Sequence, residues 1–378
     1  MKVAHAFKVY LPHRGGIVST IQTLCEGLKD PIESSILVSL PQGPGRKEWI
    51  NGVPITRTSS LTELWAMPIT PTYPLHFWHT ARQVDVIDYH APFPLIDLAV
   101  SIYFPEYTGL VIHWHSEIVA QQRTGRMLAP LIERCLQRAD RIIVSTPYHL
   151  EISPYLKAVA DQCVVIPFGV DLNRWGQLDT EDRDEIEQVQ SEFGEFLLTV
   201  GRLVPYKGMD ILIKAMAEIP GRLVIVGDGP LRDNLASLAE VPGIKGRVNF
   251  VGDVSFRRLK AFMHACHFFV LPSAAPSETF GIVQLEAMAC GKAVINTDIH
   301  PGIGWVARNG QEAITVSALN SKALTEAIRY LQENPAEAIR LGNQGKSRVE
   351  QVFSLDRFLL DTLKLYQEVA AARHRSKE

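Results

Sequence analysis

Short apolar runs, each the length of a strand, alternate with stretches of helical period along almost the whole chain. Lys2–Phe7 reads as a buried strand, Gly15-Gly16 as a tight turn, and Ile17–Leu28 carries apolar residues at helical spacing. Strands are expected next at Ser35–Leu40, Val84–Tyr89, Leu110–His113, Arg141–Ser145 and Cys163–Pro167, with helical patterns such as Gly125–Arg138 between them. A second series begins at Phe196. It has strands at Phe196–Val200, Arg222–Val226, Val248–Val251, Phe268–Leu271, Ala293–Asn296 and Ala313–Val316. Helices fall at Gly208–Ile219, Leu231–Ala239, Phe256–His264 and Ile282–Ala289. Three helical stretches close the chain: Ser321–Gln332, Pro335–Val352 and Asp356–Ala372. This alternation is the βαβ pattern of a doubly wound parallel sheet, met twice. The polar, acidic segment Asp171–Glu195 between the two series reads as a connection plus a short solvated helix.

A chain of 378 residues exceeds one ordinary core and fits two domains. The expected division is 1–180, 181–355 and a terminal helix over 356–378. Apolar residues at 46% and charged residues at 21% exclude a largely disordered or fibrous chain. Lys plus Arg number 38 and Asp plus Glu 41, a net charge of −3, which argues against a nucleic-acid binder. The five cysteines, in apolar contexts and without Cys-x-x-Cys, read as core residues of a reducing compartment. The first residues lack a signal-peptide layout, and no apolar run is long enough to span a bilayer. The expected location is cytoplasmic.

Two open parallel sheets each bind ligands at the carboxyl ends of their strands. Two such domains with facing strand ends would form a cleft with one substrate on each wall, which suits group transfer. The most informative stretch is Pro276–Lys292, PSETFGIVQLEAMACGK. Glu278 falls in a loop and Glu286 within the following helix. Gly281, Ile282 and Val283 at the helix start offer N–H groups to an anion. A capping acid and an ordinary helical Glu would be the plainer account. In GRLVPYKG, Gly201–Gly208, Arg202 and Lys207 could neutralise a diphosphate; a solvated loop is the alternative. Gly227-Asp228-Gly229-Pro230 reads as a generic turn.

In order and spacing, GRLVPYKG, VGDGP, VGDVS and SETFGIVQLEAMACGK resemble the retaining GT-B glycosyltransferases of glycosyltransferase family 4, whose E-x7-E motif matches Glu278 and Glu286. The likeness covers nearly the whole chain and is strongest from Phe196 to Val316. MKVAHAFKVYLPHRGGI looks like the family's glycine loop. WHSEIVAQQ, VSTPYHLEISPYL and VIPFGVDLNRW look like a subgroup adding mannose or a related sugar to lipid-linked bacterial polysaccharide or lipopolysaccharide precursors. The resemblance implies two Rossmann-like domains facing across a cleft. The N-terminal one would bind the acceptor and the C-terminal one the nucleotide-sugar, with the last helix returning to the N-terminal domain. It implies that Gly15 and Gly16 let the backbone approach the donor diphosphate, and that Arg202 and Lys207 bind that diphosphate as it leaves. Glu278 would hold sugar hydroxyls, and Thr279, Phe280, Gly281 and Ile282 would line the donor, with backbone N–H bonds from the last two. Glu286 would take the ribose, Val254 would sit beside the base, and His115 would lie near the sugar's reacting face. Two stretches depart from the family pattern, NGQEAITV and the TDIHPGIGWV loop with His300 and Pro301.

The implied donor is GDP-mannose first, then GDP-rhamnose or a UDP-hexose, and the implied acceptor is a glycan or lipid-linked glycan. Retention would follow a front-face route, with the leaving phosphate oxygen taking the acceptor's proton. No cofactor or metal is expected: the Asp-x-Asp triplet Asp182-Arg183-Asp184 lies in the acidic segment. The basic amphipathic stretch around 123–138 could touch the inner membrane surface through Met127, Leu128, Leu131, Ile132 and Cys135, or pack that face on the first sheet. MPITPTYPLHFWH is either an acceptor-side loop or core. Competing functions are an inverting transferase, a GT-B sugar-nucleotide epimerase, a dinucleotide oxidoreductase, which the absence of Gly-x-Gly-x-x-Gly in the first turn disfavours, and a non-catalytic sugar-nucleotide binder.

Overall fold

The computed structural model describes residues 1–13, 15–64, 67–115 and 122–375. The chain forms two compact α/β units. The first comprises Met1–Phe168 and the last helix from Phe358; the second is Gly169–Arg357.

The first unit's main sheet runs Cys163–Val165, Arg141–Val144, Gly109–Trp114, Val86–Ala91, Lys2–Ala6, Glu33–Ser39, Val53–Thr58, Arg46–Ile50. Only the last pair is antiparallel. Its order reverses beside Lys2–Ala6, which pairs with Glu33–Ser39 on one side and Val86–Ala91 on the other. The antiparallel hairpin turns at Asn51 and Gly52, both at positive φ. That is the Asn-Gly signature of a tight hairpin turn, and the sequence reading passed over it. Two further helices were also passed over, Tyr73–Ala81 and Pro94–Ile102. Tyr73, Phe77 and Ala81 recur every fourth residue and are buried, so the proline-rich aromatic stretch contributes core rather than a loop.

The second unit's sheet is wholly parallel: Val248–Gly252, Arg222–Val226, Phe196–Val200, Phe269–Leu271, Val294–Thr297, Ala313–Val316. Phe196–Val200 is buried at every residue, as its unbroken apolar run requires of a strand covered on both faces. The unit begins earlier than the expected boundary at 181. Trp175 packs edge-on against Phe256 with centroids 5.0 Å apart, and its carbonyl accepts a hydrogen bond from His264 at 2.7 Å. The acidic segment does carry a mostly exposed helix, as expected, but that helix packs on this unit. Its helix Thr180–Phe193 buries Val189 and Phe193. Arg258 pairs with Glu185 at 2.8 Å and Lys260 with the buried Asp182 at 2.5 Å.

The last helix, Leu355–Arg375, returns to the first unit and buries Phe358, Thr362, Leu365, Tyr366, Val369 and Ala370. Gly109 makes room for it, since a Cβ there would stand 2.4 Å from Val369. Arg373 anchors its end on Asp140 at 2.6 Å. Among the described residues no helix is long and apolar enough to cross a membrane.

Candidate active site

In the second unit the strand order reverses between Phe196–Val200 and Phe269–Leu271. Open α/β sheets bind ligands beside such a point, at the carboxyl ends of the strands. The loops leaving those strands are interlocked. Leu203 N–H donates to the Asp228 carbonyl at 3.0 Å, Leu231 N–H to the Leu203 carbonyl at 3.0 Å, and Ala274 N–H to the Tyr206 carbonyl at 2.7 Å. Two glycines permit this closeness. At Gly208, φ is +64 and a Cβ would fall 2.0 Å from the Pro272 carbonyl oxygen; at Gly229 it would fall 2.6 Å from the Leu203 oxygen. The Gly227–Pro230 turn, generic when read alone, therefore buttresses the loop that carries Arg202.

This interlocking brings Lys207 and Glu278 together as an ion pair. Their side chains are only 11% and 12% exposed. Ser273 Oγ also donates to Glu278 Oε2, at 3.4 Å. The Lys207 stem lies against Gly201, where a Cβ would stand 3.3 Å from Cε. Glu286 is half-buried. Burial pushes its carboxyl up to about 7, against the pull of Arg174 and Lys207. Arg174 stacks over Phe256 at 3.8 Å and was not singled out in the sequence; it belongs to VIPFGVDLNRW. Arg202 is exposed and, among the described residues, has no ion-pair partner. The helix Ile282–Ala289 starts at Gly281 without a side-chain cap, so no capping side chain occupies its first N–H groups. Cations, a carboxylate and helix-start amides at a switch point suit a ligand bearing both phosphates and hydroxyls.

Some expected roles change. Gly281, expected to line the donor through its N–H, has a further reason to be glycine. Its φ is +68, and an added Cβ would meet Leu271 at 2.7 Å and Ile303 at 3.3 Å, so backbone and core demand the glycine. Phe280 is a core side chain, edge-on to Phe353 with centroids 6.0 Å apart. Thr279 is buried, with its carbonyl 2.3 Å from where a Cβ on Gly302 would stand. Val254, half-buried, follows the edge strand Val248–Gly252 and precedes Ser255, whose hydroxyl accepts from Arg258 N–H at 3.2 Å. Ile282 opens the motif helix and is half-buried. Asp182 of the Asp-x-Asp triplet is engaged by Lys260 and by a reciprocal cap with Asp179.

Gly15, Gly16 and His115 belong to the first unit. Gly15 precedes and Gly16 opens the helix Gly16–Gly27; both are exposed, and a Cβ on Gly15 would meet nothing within 4 Å. Arg14 lies outside the described residues. His115 is 8% exposed, stacks on Phe168 with centroids 5.8 Å apart, and has Nε2 2.9 Å from His90 Nδ1. Burial first, then His90 and His113, hold its imidazole well below the usual range, so it is neutral. Sequence reading missed His90, His113, Asp88 and His5. Asp88 and His90, like His113 and His115, stand two apart on strands and so share a face, which was the available signal. Ser116–Gln121, most of WHSEIVAQQ, fall outside the described residues. So do the side chains of Arg123, Arg126 and Met127. Farther along that helix, Ile132, Cys135 and Leu136 are buried in the first unit's core with Leu128 against them, and Arg138 lies over Phe104 at 5.1 Å. Leu128, Ile132, Cys135 and Leu136 are thus occupied by packing.

Comparison with known proteins bears on the family and the fold. The Glycosyltransferase Family 4 model matches residues 14–174 and the model for Glycosyl transferases group 1 matches 181–348. The D-rhamnosyltransferase WbpZ of Pseudomonas aeruginosa is 29% identical over 361 residues, 94% of this chain and 92% of its own. The O-antigen chain mannosyltransferase C of Escherichia coli is 29% identical over 370 residues, 97% and 98% of the two chains. Among solved structures, Anabaena HepE in complex with UDP superposes with a TM-score of 0.78 at 19% identity, over 97% of this chain and 100% of that one. With one family model on each half and two Rossmann-like units, the chain belongs to the GT-B glycosyltransferases of family 4 and is a glycosyltransferase.

Proposed function

We propose that this glycosyltransferase moves a hexose, mannose first, from a GDP-sugar onto a glycan or lipid-linked acceptor in O-antigen-type polysaccharide synthesis, with retention of anomeric configuration. The observation that carries the reading is the Lys207–Glu278 pair between interlocked loops at the second unit's switch point. Lys207 has three N–H donors, so one can stay on Glu278 while others take diphosphate oxygens. Glu278 then accepts from sugar hydroxyls, Arg202 adds a bidentate fork, and Glu286 meets the ribose. The anomeric C–O bond breaks, its electron pair leaves with the nucleoside diphosphate, and the acceptor oxygen forms the new bond while its proton passes to the leaving phosphate oxygen. Fixed positive groups aimed at the growing leaving-group charge lower the barrier. Metal independence belongs to the same proposal: Lys207, Arg202 and the helix-start amides supply the positive charge. Neutral His115 would serve the reacting face, and Gly15-Gly16 the donor diphosphate.

The mannose choice leans on the Escherichia coli relative, and the Pseudomonas aeruginosa relative makes a GDP-rhamnose donor the second reading. A panel of GDP-mannose, GDP-rhamnose, UDP-hexoses and ADP-sugars, each with a lipid-linked glycan acceptor, tests both. GDP release with GDP-mannose and an axial-linked product by NMR are expected. Turnover confined to UDP-sugars overturns the donor assignment, and Glu278→Ala with Lys207→Ala at wild-type rates overturns the site.

A further inference from the structure

Under the last helix, the first unit's sheet holds a polar row that the transfer reaction does not use. His5, Asp88, His90 and His113 lie on three neighbouring strands, none more than 2% exposed. Tyr366 of the helix donates to Asp88 Oδ2 at 2.5 Å. His5 Nδ1 is 3.1 Å from Asp88 Oδ2 and 3.2 Å from His90 Nε2, and His90 Nε2 is 3.3 Å from the same Oδ2. The three atoms make a nearly equilateral triangle. Ligands about 2.0 Å from a tetrahedral ion stand about 3.3 Å apart.

Read as hydrogen bonds alone, the arrangement is crowded. Tyr366 and one of the two rings His5 and His90, which share a hydrogen bond of their own, would direct hydrogens at one oxygen, and His113 Nδ1 stands 3.1 Å from it as well. One carboxylate oxygen has two lone pairs. Read as ligands, two ring nitrogens and one carboxylate oxygen stand at the spacing that a single ion would set. Asp88 is fully buried and needs compensating positive charge. Among the described residues its side-chain partners are three imidazoles and a phenol, with no Lys or Arg.

We propose that His5 Nδ1, His90 Nε2 and Asp88 Oδ2 bind one divalent transition-metal ion of the zinc class, with Tyr366 held on Asp88 Oδ2 by its hydrogen bond. Nitrogen and carboxylate ligands suit that class. An outer layer of hydrogen bonds is in place: His113 Nδ1 meets the other carboxylate oxygen, Oδ1, at 2.8 Å, and His90 Nδ1 meets His115 Nε2 at 2.9 Å. Ligating histidines use the second ring nitrogen in this way. With Nε2 on the ion, His90 carries its proton on Nδ1 and donates to His115, which fixes the tautomer of His115. The ion belongs to the first unit's core and takes no part in the transfer step.

The test uses the full chain purified without a histidine tag or chelator. After dialysis, elemental analysis should find about one zinc per chain. Chelator-stripped protein should lose several degrees in Tm, regain them with Zn2+ and not with Mg2+, and give a tetrahedral visible spectrum with one equivalent of Co2+. His5→Gln and Asp88→Asn should each weaken Zn2+ binding by at least about 100-fold. That is a larger loss than an outer-layer change gives. If these variants do not fold, the wild-type measurements decide alone. Substoichiometric zinc together with a Tm unmoved by Zn2+ and no tetrahedral Co2+ spectrum overturns the site. So does a folded His5→Gln protein that binds zinc as wild type does.

Discussion

Removing Lys207 and Glu278 singly and then together separates their structural and functional contributions. Both side chains are about nine-tenths buried and paired with each other. Lys207→Met leaves the Glu278 carboxylate with the Ser273 hydroxyl at 3.4 Å and little solvent; Glu278→Gln leaves an ammonium facing an amide. Breaking a buried pair costs about 3–5 kcal/mol. The open edge and the Ser273 hydroxyl lower this to roughly 2–3 kcal/mol. In a unit the size of Gly169–Arg357, that is a fall in Tm of roughly 5–10 °C. The double variant has no uncompensated charge, so its loss should undercut the sum of the single losses by about 1–3 kcal/mol. Turnover should behave differently. Each single variant and the double should lose about 10²–10³ in rate, the size of a missing transition-state contact. Scanning calorimetry and nucleotide release on the same three proteins would show stability partly recovering while activity does not. Recovered turnover in the double variant, or Tm losses that simply add, would refute the reasoning.

Three other outcomes follow from the same geometry. Glu286, raised by burial to about 7 from an ordinary value of about 4.3, holds a proton in the folded state that the unfolded chain releases. Its contribution to stability is therefore complete at low pH and is lost as pH rises through 7. Urea unfolding at stepped pH should show wild type losing about 1–3 kcal/mol more than Glu286→Gln between pH 5 and pH 8; parallel curves contradict the burial argument. Arg202→Ala should lower turnover about 10²–10³ while moving stability by less than about 0.5 kcal/mol, since Arg202 is exposed; a clear fall in Tm would mean that it holds the loop rather than a ligand. Gly229→Ala should lower turnover although it offers a ligand nothing, because its Cβ would press on Leu203 and shift the Arg202 loop; wild-type kinetics in that variant would break the proposed link.

The second unit was the more legible half. Its central strands, such as Phe196–Val200 and Phe269–Leu271, are buried at every residue and appear as apolar runs, and Phe196–Val200, Arg222–Val226 and Ala313–Val316 match the expected bounds. The Glu278–Glu286 spacing marked the site because loop and helix start are local in sequence. Long-range pairings left weaker traces. The acidic segment read as a connection with a solvated helix because its acids are plain in sequence, whereas the Arg258 and Lys260 that meet them lie 73 and 78 residues away. The His5–Asp88–Tyr366 cluster spans 83 and 278 residues and is fixed by strand register and a returning helix, which periodicity does not reveal. Gly208 and Gly229 read as ordinary turn glycines because the carbonyls they accommodate come from other loops.

The return of the last helix to the first unit has a bearing on synthesis. As the chain leaves the ribosome, the segment from Gly169 to Arg357 is complete in itself and can close its core while translation continues. The first unit, although begun before it, lacks the cover that Tyr366 and Val369 give its central strands until that helix is translated. Its buried histidines and Asp88 therefore stay open to solvent longest, and an early stop codon near residue 355 would leave the oldest part of the chain unfinished and the newest part intact.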